Sequence, residues 1–449
     1  MAKAKKAMMP KVVILPEEQQ PFKVPENWIW TDIESINNYK GSSIDPMKNP
    51  DSEYELYSVP SSAENYPEIV SGSEIGSTKQ SVEKGDVLLC KINPRINRVW
   101  KVSQHTENEL LASSEWIIIR NAAINPDYLM YCFRTQYFRE FMLSNVSGVG
   151  GSLMRAQPKF VKNYPVPIAP IQEQHRIVDR IESIFVKLDE AKEKAQAVVD
   201  GFELRKSAIL HKAFIGELTA QWRQEHGIER DSWEVVTLSD VCKVNPKKLD
   251  TKELPDNLEV SFFPMPALSE IYGEITDPQT RPLKEVRSGF TNFSEGDVVF
   301  AKITPCMENG KSAVIGKLVN DIGFGTTEFY VFRCGNKLYN RYLYHLVRDQ
   351  HFRDEAKAVM TGAVGQQRVP KSFLEDYPLN LPSVPEQEVI ANMLDDMFSK
   401  DMKVKDTAEA VIDQIDTMKK AVLARAFRGE LGTNDPAEES AMELLKSVL

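Results

Sequence analysis

Apolar residues recur at alternating steps of four and three in two stretches of the chain. Ile177, Ile181, Ile184, Leu188, Ala191, Ala195, Val198 and Phe202 make the first. Ile390, Leu394, Met397, Val404, Ala408, Val411, Ile415, Met418 and Val422 make the second, with Asp401 as one polar interruption. This is an a/d heptad seam, the mark of helices that pair along their length. The 42 residues from Glu173 to Phe214, as one continuous helix, would span about 60 Å. Packing the two helices on each other satisfies both seams. Elsewhere the period shortens: DVLLCKI, EWIIIR, DVVFAKI and FYVFR are β-branched and aromatic runs of strand length, bounded by Gly, Asn and Pro. YLMYCFRTQYFREFML and YLYHLVRDQHFRDEAKAVM return to helical spacing, with ends expected at Gly148 and Gly362.

These elements occur twice. GDVLLCKINP (85–94) returns as GDVVFAKITP (296–305), EWIIIR (115–120) as EFYVFR (328–333), and YLMYCFRTQYFRE (128–140) as YLYHLVRDQHFRD (342–354). The stretch 147–178 is matched by 361–390, KSAILHKAFIGEL by KKAVLARAFRGEL, and the offset settles at 213 residues. A repeat of this size sets the architecture before any motif does. The fold class expected is α+β: two mixed domains in tandem, separated by two long helices packed as an antiparallel coiled coil with pseudo-two-fold symmetry. The expected boundaries are an N-terminal tail (1–22), a first domain (23–170), a central helical spacer (171–220), a second domain (221–380), a distal helical spacer (381–432) and an acidic tail (433–449), for which docking helix and frayed end are equally open.

Composition is globular, with 42% hydrophobic and 27% charged residues, and 449 residues exceed one ordinary core. Five scattered cysteines without a CxxC pair argue for a reducing compartment. The apolar run Val12–Leu15 is too short for a signal sequence and no later run is long enough to span a bilayer, so a cytoplasmic protein is expected. Net charge is −10, which opposes nucleic-acid binding in general. The acidity is uneven, however: residues 381–449 carry −6 and residues 23–165 only −2.

Enzyme motifs are missing. Gly310-Lys311-Ser312 imitates the end of a phosphate-binding loop, but Pro305 stands where its first glycine belongs. The six histidines show no metal-ligand spacing, Asn93-Pro94 is followed by Arg95 rather than by the run of an amino-methyltransferase, and no nucleophile elbow or nuclease pattern occurs.

The repeated string that joins a Gly-rich loop to a Pro-rich hinge, then EQ and a heptad helix, here GVGGSLMRAQPKF followed by YPVPIAPIQEQHRIV, resembles the specificity subunits of type I restriction-modification systems. The KAFIGEL and RAFRGEL helix ends are similar as well, and the resemblance covers almost the whole chain. It implies a non-catalytic DNA-binding subunit. Each target-recognition domain would read one half of an asymmetric bipartite site in double-stranded DNA, while the helices set the unread gap and dock two modification (methyltransferase) subunits. A restriction (endonuclease) subunit would join for cleavage. No cofactor is expected on this chain: S-adenosylmethionine would belong to the modification subunits, which flip out an adenine for DNA methylation, and ATP and magnesium to the restriction subunit. The rival reading is a duplicated scaffold without DNA specificity, which the net charge favours.

Lys91, Arg95, Arg98 and Lys101 lie in a stretch without an acidic residue from Val87 to Thr106. They could hold phosphate and guanine, or form a solvated strand edge over Trp100. The loop from Gly148 supplies Ser152, Arg155, Gln157, Lys159 and Lys162, and its counterpart supplies Gln366, Gln367, Arg368 and Lys371. Gln and Arg suit adenine and guanine edges, whereas the plain alternative is a turn into the helix. In the second domain Lys302, Thr304 and Lys311 match the first basic stretch, with Glu308 intervening, and Lys243, Lys247 and Lys248 add charge.

Overall fold

A computed structural model describes residues 13–148, 154–270, 273–363 and 365–447. Its longer helices are α1 (Pro126–Phe133), α2 (Gln136–Ser144), α3 (Ile171–Asp200), α4 (Phe202–Phe214), α5 (Asn340–Arg348), α6 (Gln350–Ala358), α7 (Val384–Ala426) and α8 (Ala441–Ser447). The chain divides into two compact units, residues 1–195 with 410–449, and residues 196–409. The spacer helices are thus shared out between the units rather than forming segments of their own. No described helix is long and apolar enough to cross a membrane.

In the first unit a mixed five-stranded sheet runs in the order Ser43–Ile44, Lys79–Ser81, Glu109–Ala112, Glu53–Tyr57, Glu68–Ser71. A three-stranded antiparallel sheet places Val87–Cys90 between Val99–Lys101 and Trp116–Ile119. Ile29–Asp32 pairs with Pro165–Ile168, tying the entrance of the domain to its exit. The second unit repeats the plan: Val298–Ala301 lies between Ser312–Val314 and Phe329–Cys334, and Glu234–Thr237 pairs with Pro378–Leu381.

The repeated words have structural reasons. In each GDV turn the aspartate is buried and takes a two-pronged bond from the arginine that ends the next repeated strand: Asp86 from Arg120 at 2.7 Å twice, Asp297 from Arg333 at 2.8 and 2.6 Å. Paired planar groups of this kind fix strand register as well as charge. The EQ at the start of each long helix is buried too. Gln174 donates to the Ala169 carbonyl and accepts from the Asn125 amide, and Gln387 does the same with Pro382 and Tyr339. Glu173 accepts from Trp28 Nε1 at 2.7 Å and Asn434 Nδ2 at 2.7 Å. Glu386 accepts from Thr219 Oγ1 at 2.6 Å, Trp233 Nε1 at 3.0 Å and the Arg223 guanidinium. Each entrance tryptophan is thereby fastened to its own helix.

Antiparallel helix pairing is present within each unit. In the first, Lys192 pairs with Asp416 and Asp189 with Lys419. In the second, Arg205 pairs with Asp401, the polar interruption, and Lys405 lies over the Phe202 ring. Ile177, Ile181, Ile390, Leu394, Ala408 and Ile415 are buried, and Ile184, Leu188, Val198 and Met397 partly so. Val404, Val411 and Met418 depart from expectation, at 52%, 36% and 43% exposed. Within each unit a single partner helix covers only a narrow stripe, which leaves these heptad positions open.

Two further expectations need correction, and one left open is decided. The helices foreseen as ending at Gly148 and Gly362 stop earlier and are each broken in two. Thr135 accepts from the Phe138 amide and so restarts the first pair as an N-cap, while Asp349, in extended conformation, divides the second. The supposed N-terminal tail is fastened from Val13 onward, Leu15 donating to the Trp30 carbonyl and Thr31 to that of Val13. The acidic end is a docking helix: Ala441 and Leu445 join the core of the first unit, Arg176 forks on Glu438 at 2.7 and 2.9 Å, and the Ala441 amide donates to Asn27.

Burial pushes the Glu173 carboxyl above its ordinary value of 4.5, against the pull of its hydrogen bonds. The folded state therefore holds this proton more tightly than the unfolded one. The contribution of Glu173 to stability is complete below pH 4.5 and declines as pH rises through its folded pKa. Relative to Glu173→Gln, the wild type should gain melting temperature as pH is lowered from 7 towards 4.5. A difference that stays constant with pH would refute the shift.

Candidate nucleic-acid interface

In both units the chain emerging from the central strand meets the segment that precedes the spacer helix. In the first, Asn93 donates its amide to the Met154 carbonyl at 2.8 Å, Ala156 to Lys91 at 2.8 Å, and Lys91 to Glu115 at 3.0 Å. In the second, Thr304 donates to Gln367 at 3.0 Å, Val369 to Lys302 at 2.9 Å, and Lys302 to Glu328 at 2.9 Å. Ile92 bridges Arg155 as Ile303 bridges Arg368. Two stretches about 60 residues apart in sequence are thus laid side by side, and the same frame is built twice.

The side chains on this frame divide into those already engaged and those presented. Arg155 forks on Glu115 at 3.3 Å twice, and Arg368 on Glu328 at 2.9 and 2.8 Å. Arg368 gives its remaining edge to the Gln366 carbonyl at 3.0 Å. Its guanidinium holds the Glu328 carboxyl below its ordinary value. These arginines, expected as guanine readers, act first as clamps on the loop. Lys101 is paired with Asp127, Lys162 with Glu34 and Lys371 with Glu375. The run without acids around Lys101 is therefore not free of them in space, because Asp127 arrives from the first turn of α1. Lys91 donates to the Ser114 carbonyl at 2.6 Å, Lys248 to that of Phe290, and Lys302 lies over the Tyr330 ring.

The presented groups are Arg95, Lys159, Gln366, Lys243 and Lys247, all exposed, and Arg98, Gln157, Lys311 and Gln367, half-buried. Thr304 accepts from the Gln367 amide through its hydroxyl, which shapes the second loop rather than offering a donor outward. Arg95 stands on a one-turn helix between Asn93 and Asn97, both left-handed at φ 47° and 52°, a conformation asparagine adopts more readily than most residues. Ser152 lies outside the described residues.

Sequence reasoning missed Arg134 and Arg139, which hold this turn from behind. Arg134 Nη2 donates to the Val99 carbonyl at 2.9 Å and Arg139 to that of Arg95. Arg348 and Arg353 treat Gly310 and Glu308 alike in the second unit. The signal was available, since both arginines of RTQYFR recur in RDQHFR.

Residues 230–413 match the family model of the type I restriction modification DNA specificity domain. The EcoEI specificity subunit of a type I restriction enzyme from Escherichia coli is 30% identical over 260 residues, covering 49% of this chain and 43% of that one. The EcoAI specificity subunit, also from Escherichia coli, is 31% identical over 260 residues, with 49% and 44% covered. The match thus spans less than half the length of these relatives. Among solved structures, the HsdS subunit from Thermoanaerobacter tengcongensis superposes with a TM-score of 0.62 at 19% identity, over 92% of this chain and 99% of that one. A chain from a structure addressing complex assembly and conformational transition of the type I R-M system gives 0.70 at 18% identity, over 92% and 100%. Repeat, domain match and fold agree: residues 230–413 match the type I restriction modification DNA specificity domain, and the fold over 92% of the chain is that of the HsdS subunit from Thermoanaerobacter tengcongensis.

Proposed function

We propose that this chain is the DNA-reading subunit of a type I restriction-modification complex and is not itself catalytic. Each domain reads one half of an asymmetric bipartite site, and the spacer helices set the gap and dock two modification subunits. The observation that carries this reading is one frame built twice with different side chains upon it. Asn93-Pro94-Arg95 in the first corresponds to Thr304-Pro305-Cys306 in the second, while Lys91 and Lys302, Glu115 and Glu328, Arg155 and Arg368 are the same. Shared residues clamp the two loops together, while exposed Arg95 in the first is replaced by half-buried Cys306 in the second, a difference suited to two different half-sites, because base edges rather than phosphates carry sequence information. Val411 and Met418, exposed on the distal helix within the first unit, suit a docked subunit.

S-adenosylmethionine would then be held by the modification subunits, and ATP and magnesium by a restriction subunit. Co-expression with a cognate modification subunit and genome-wide mapping of methylated adenine tests the reading. A bipartite, asymmetric motif that vanishes when this chain is omitted is expected; methylation independent of the chain would end it. The carboxylates facing Lys101, Arg155, Arg368 and Lys371 favour a second reading, a protein scaffold. It requires that the assembled complex show no salt-dependent affinity for DNA.

A further inference from the structure

The first unit contains an open pocket of about 400 Å³, lined by Arg98, Arg134, Gln136, Arg139, Lys420 and Ser62, among others. Four cations converge there and no carboxylate lines it. Arg134 and Arg139 each anchor one arm on a backbone carbonyl, as described above, and the Nε of Arg139 is buried without a partner. Burial also pushes the Arg134 guanidinium below its ordinary value, and the nearby charge of Asp127 offsets only part of the cost. A pocket of the second unit is lined by Arg348, the equivalent of Arg134, but its lining also includes Asp395 and Glu274. There Asp395 takes bonds from Arg341 and His345. The second pocket supplies its own anions; the first does not.

We propose that the pocket formed by Arg98, Arg134, Arg139 and Lys420 binds a phosphate group. Planar guanidinium forks match the oxygens of a tetrahedral phosphate, while Gln136 and Ser62 add neutral hydrogen-bonding groups. Only Ile96 and Val99 are apolar in the lining, too little to stack a base, so the phosphate and its ester are what the site recognises. Because Arg98 follows the turn that presents Arg95, a backbone phosphate of bound DNA and a free phosphate are the two sources. The phosphate site itself does not depend on the DNA-reading role; only the choice of source does.

The test uses the full chain with inorganic phosphate, titrated calorimetrically against chloride of equal ionic strength. One saturable site is expected, weakened at least tenfold by Arg98→Glu or Lys420→Glu and unaffected by Lys40→Glu, an exposed position outside the pocket. In the complex assembled with modification subunits, the same two reversals should weaken a duplex of arbitrary sequence and lower its salt dependence by about one ion per lost contact. Displacement of phosphate by the duplex assigns the site to the DNA backbone, and retention assigns it to a free anion. Absence of saturable phosphate binding, with duplex affinity untouched by either reversal, overturns the proposal. Phosphate binding in a complex that ignores DNA would leave the pocket standing and remove the DNA-reading role instead.

Discussion

Replacing Glu386 by alanine should destabilise the second unit by about 3–5 kcal/mol, the usual cost of removing one partner from a buried ion pair. Glu386 and Arg223 are 0% and 5% exposed. The substitution strands the guanidinium and also removes the acceptor of Thr219 and Trp233. Arg223 keeps only its bonds to Thr219 and the Gly216 carbonyl and its place over the Trp233 ring, none of which neutralises it. Denaturant unfolding followed by tryptophan fluorescence reads the loss. Replacing Glu386 and Arg223 together by leucine and methionine should restore much of it, since no unpaired charge is then left inside. A loss below about 1 kcal/mol for the single variant would mean that water reaches the pair.

The second large effect concerns specificity. If the domains are modular readers, exchanging the first for that of a relative should replace one half of the methylated motif and leave the other intact. Strand pairing places the junctions: Asp32 faces Pro165 and Ile29 faces Ile168, so a cut at residue 165 would sever the ladder at its first rung. The exchange should run from residue 23 to 170, which keeps the pair together and leaves Glu173 to fasten the incoming tryptophan. Methylome mapping of the hybrid decides the matter. A change in both halves, at full complex assembly, would refute modular reading.

What was legible in the sequence was whatever repeats or alternates. The strands around Leu88 and Phe300, the paired helices and the bipartite plan follow from pattern, because burying one face leaves a periodic trace. The seam was legible as a period but not as a face. Val411 and Ile415 both belong to the heptad series, yet only Ile415 is buried, since a lone partner covers less than the whole stripe. Charge was less legible still. Lys101 looks free along the chain and meets Asp127 only once α1 is folded, and Arg155 finds Glu115 from 40 residues away. Ion pairing depends on contacts that local spacing does not encode, so the sequence picked out these stretches without showing that they lie side by side or which of their side chains remain open.

The contact between Asn27 and the segment 434–441 has a consequence for how the gene could be rewritten. Asn434 donates to both Asn27 and Glu173, so stretches more than 400 residues apart in sequence lie in one unit. The first unit thus brings the stretch around Asn27 and the stretch around Asn434 side by side. A circular permutant joined there by a short linker and reopened in the exposed stretch around Gly227, before Trp233, would keep the internal contacts of each unit. Such a permutant should retain both units with the order of the two repeats exchanged along the chain.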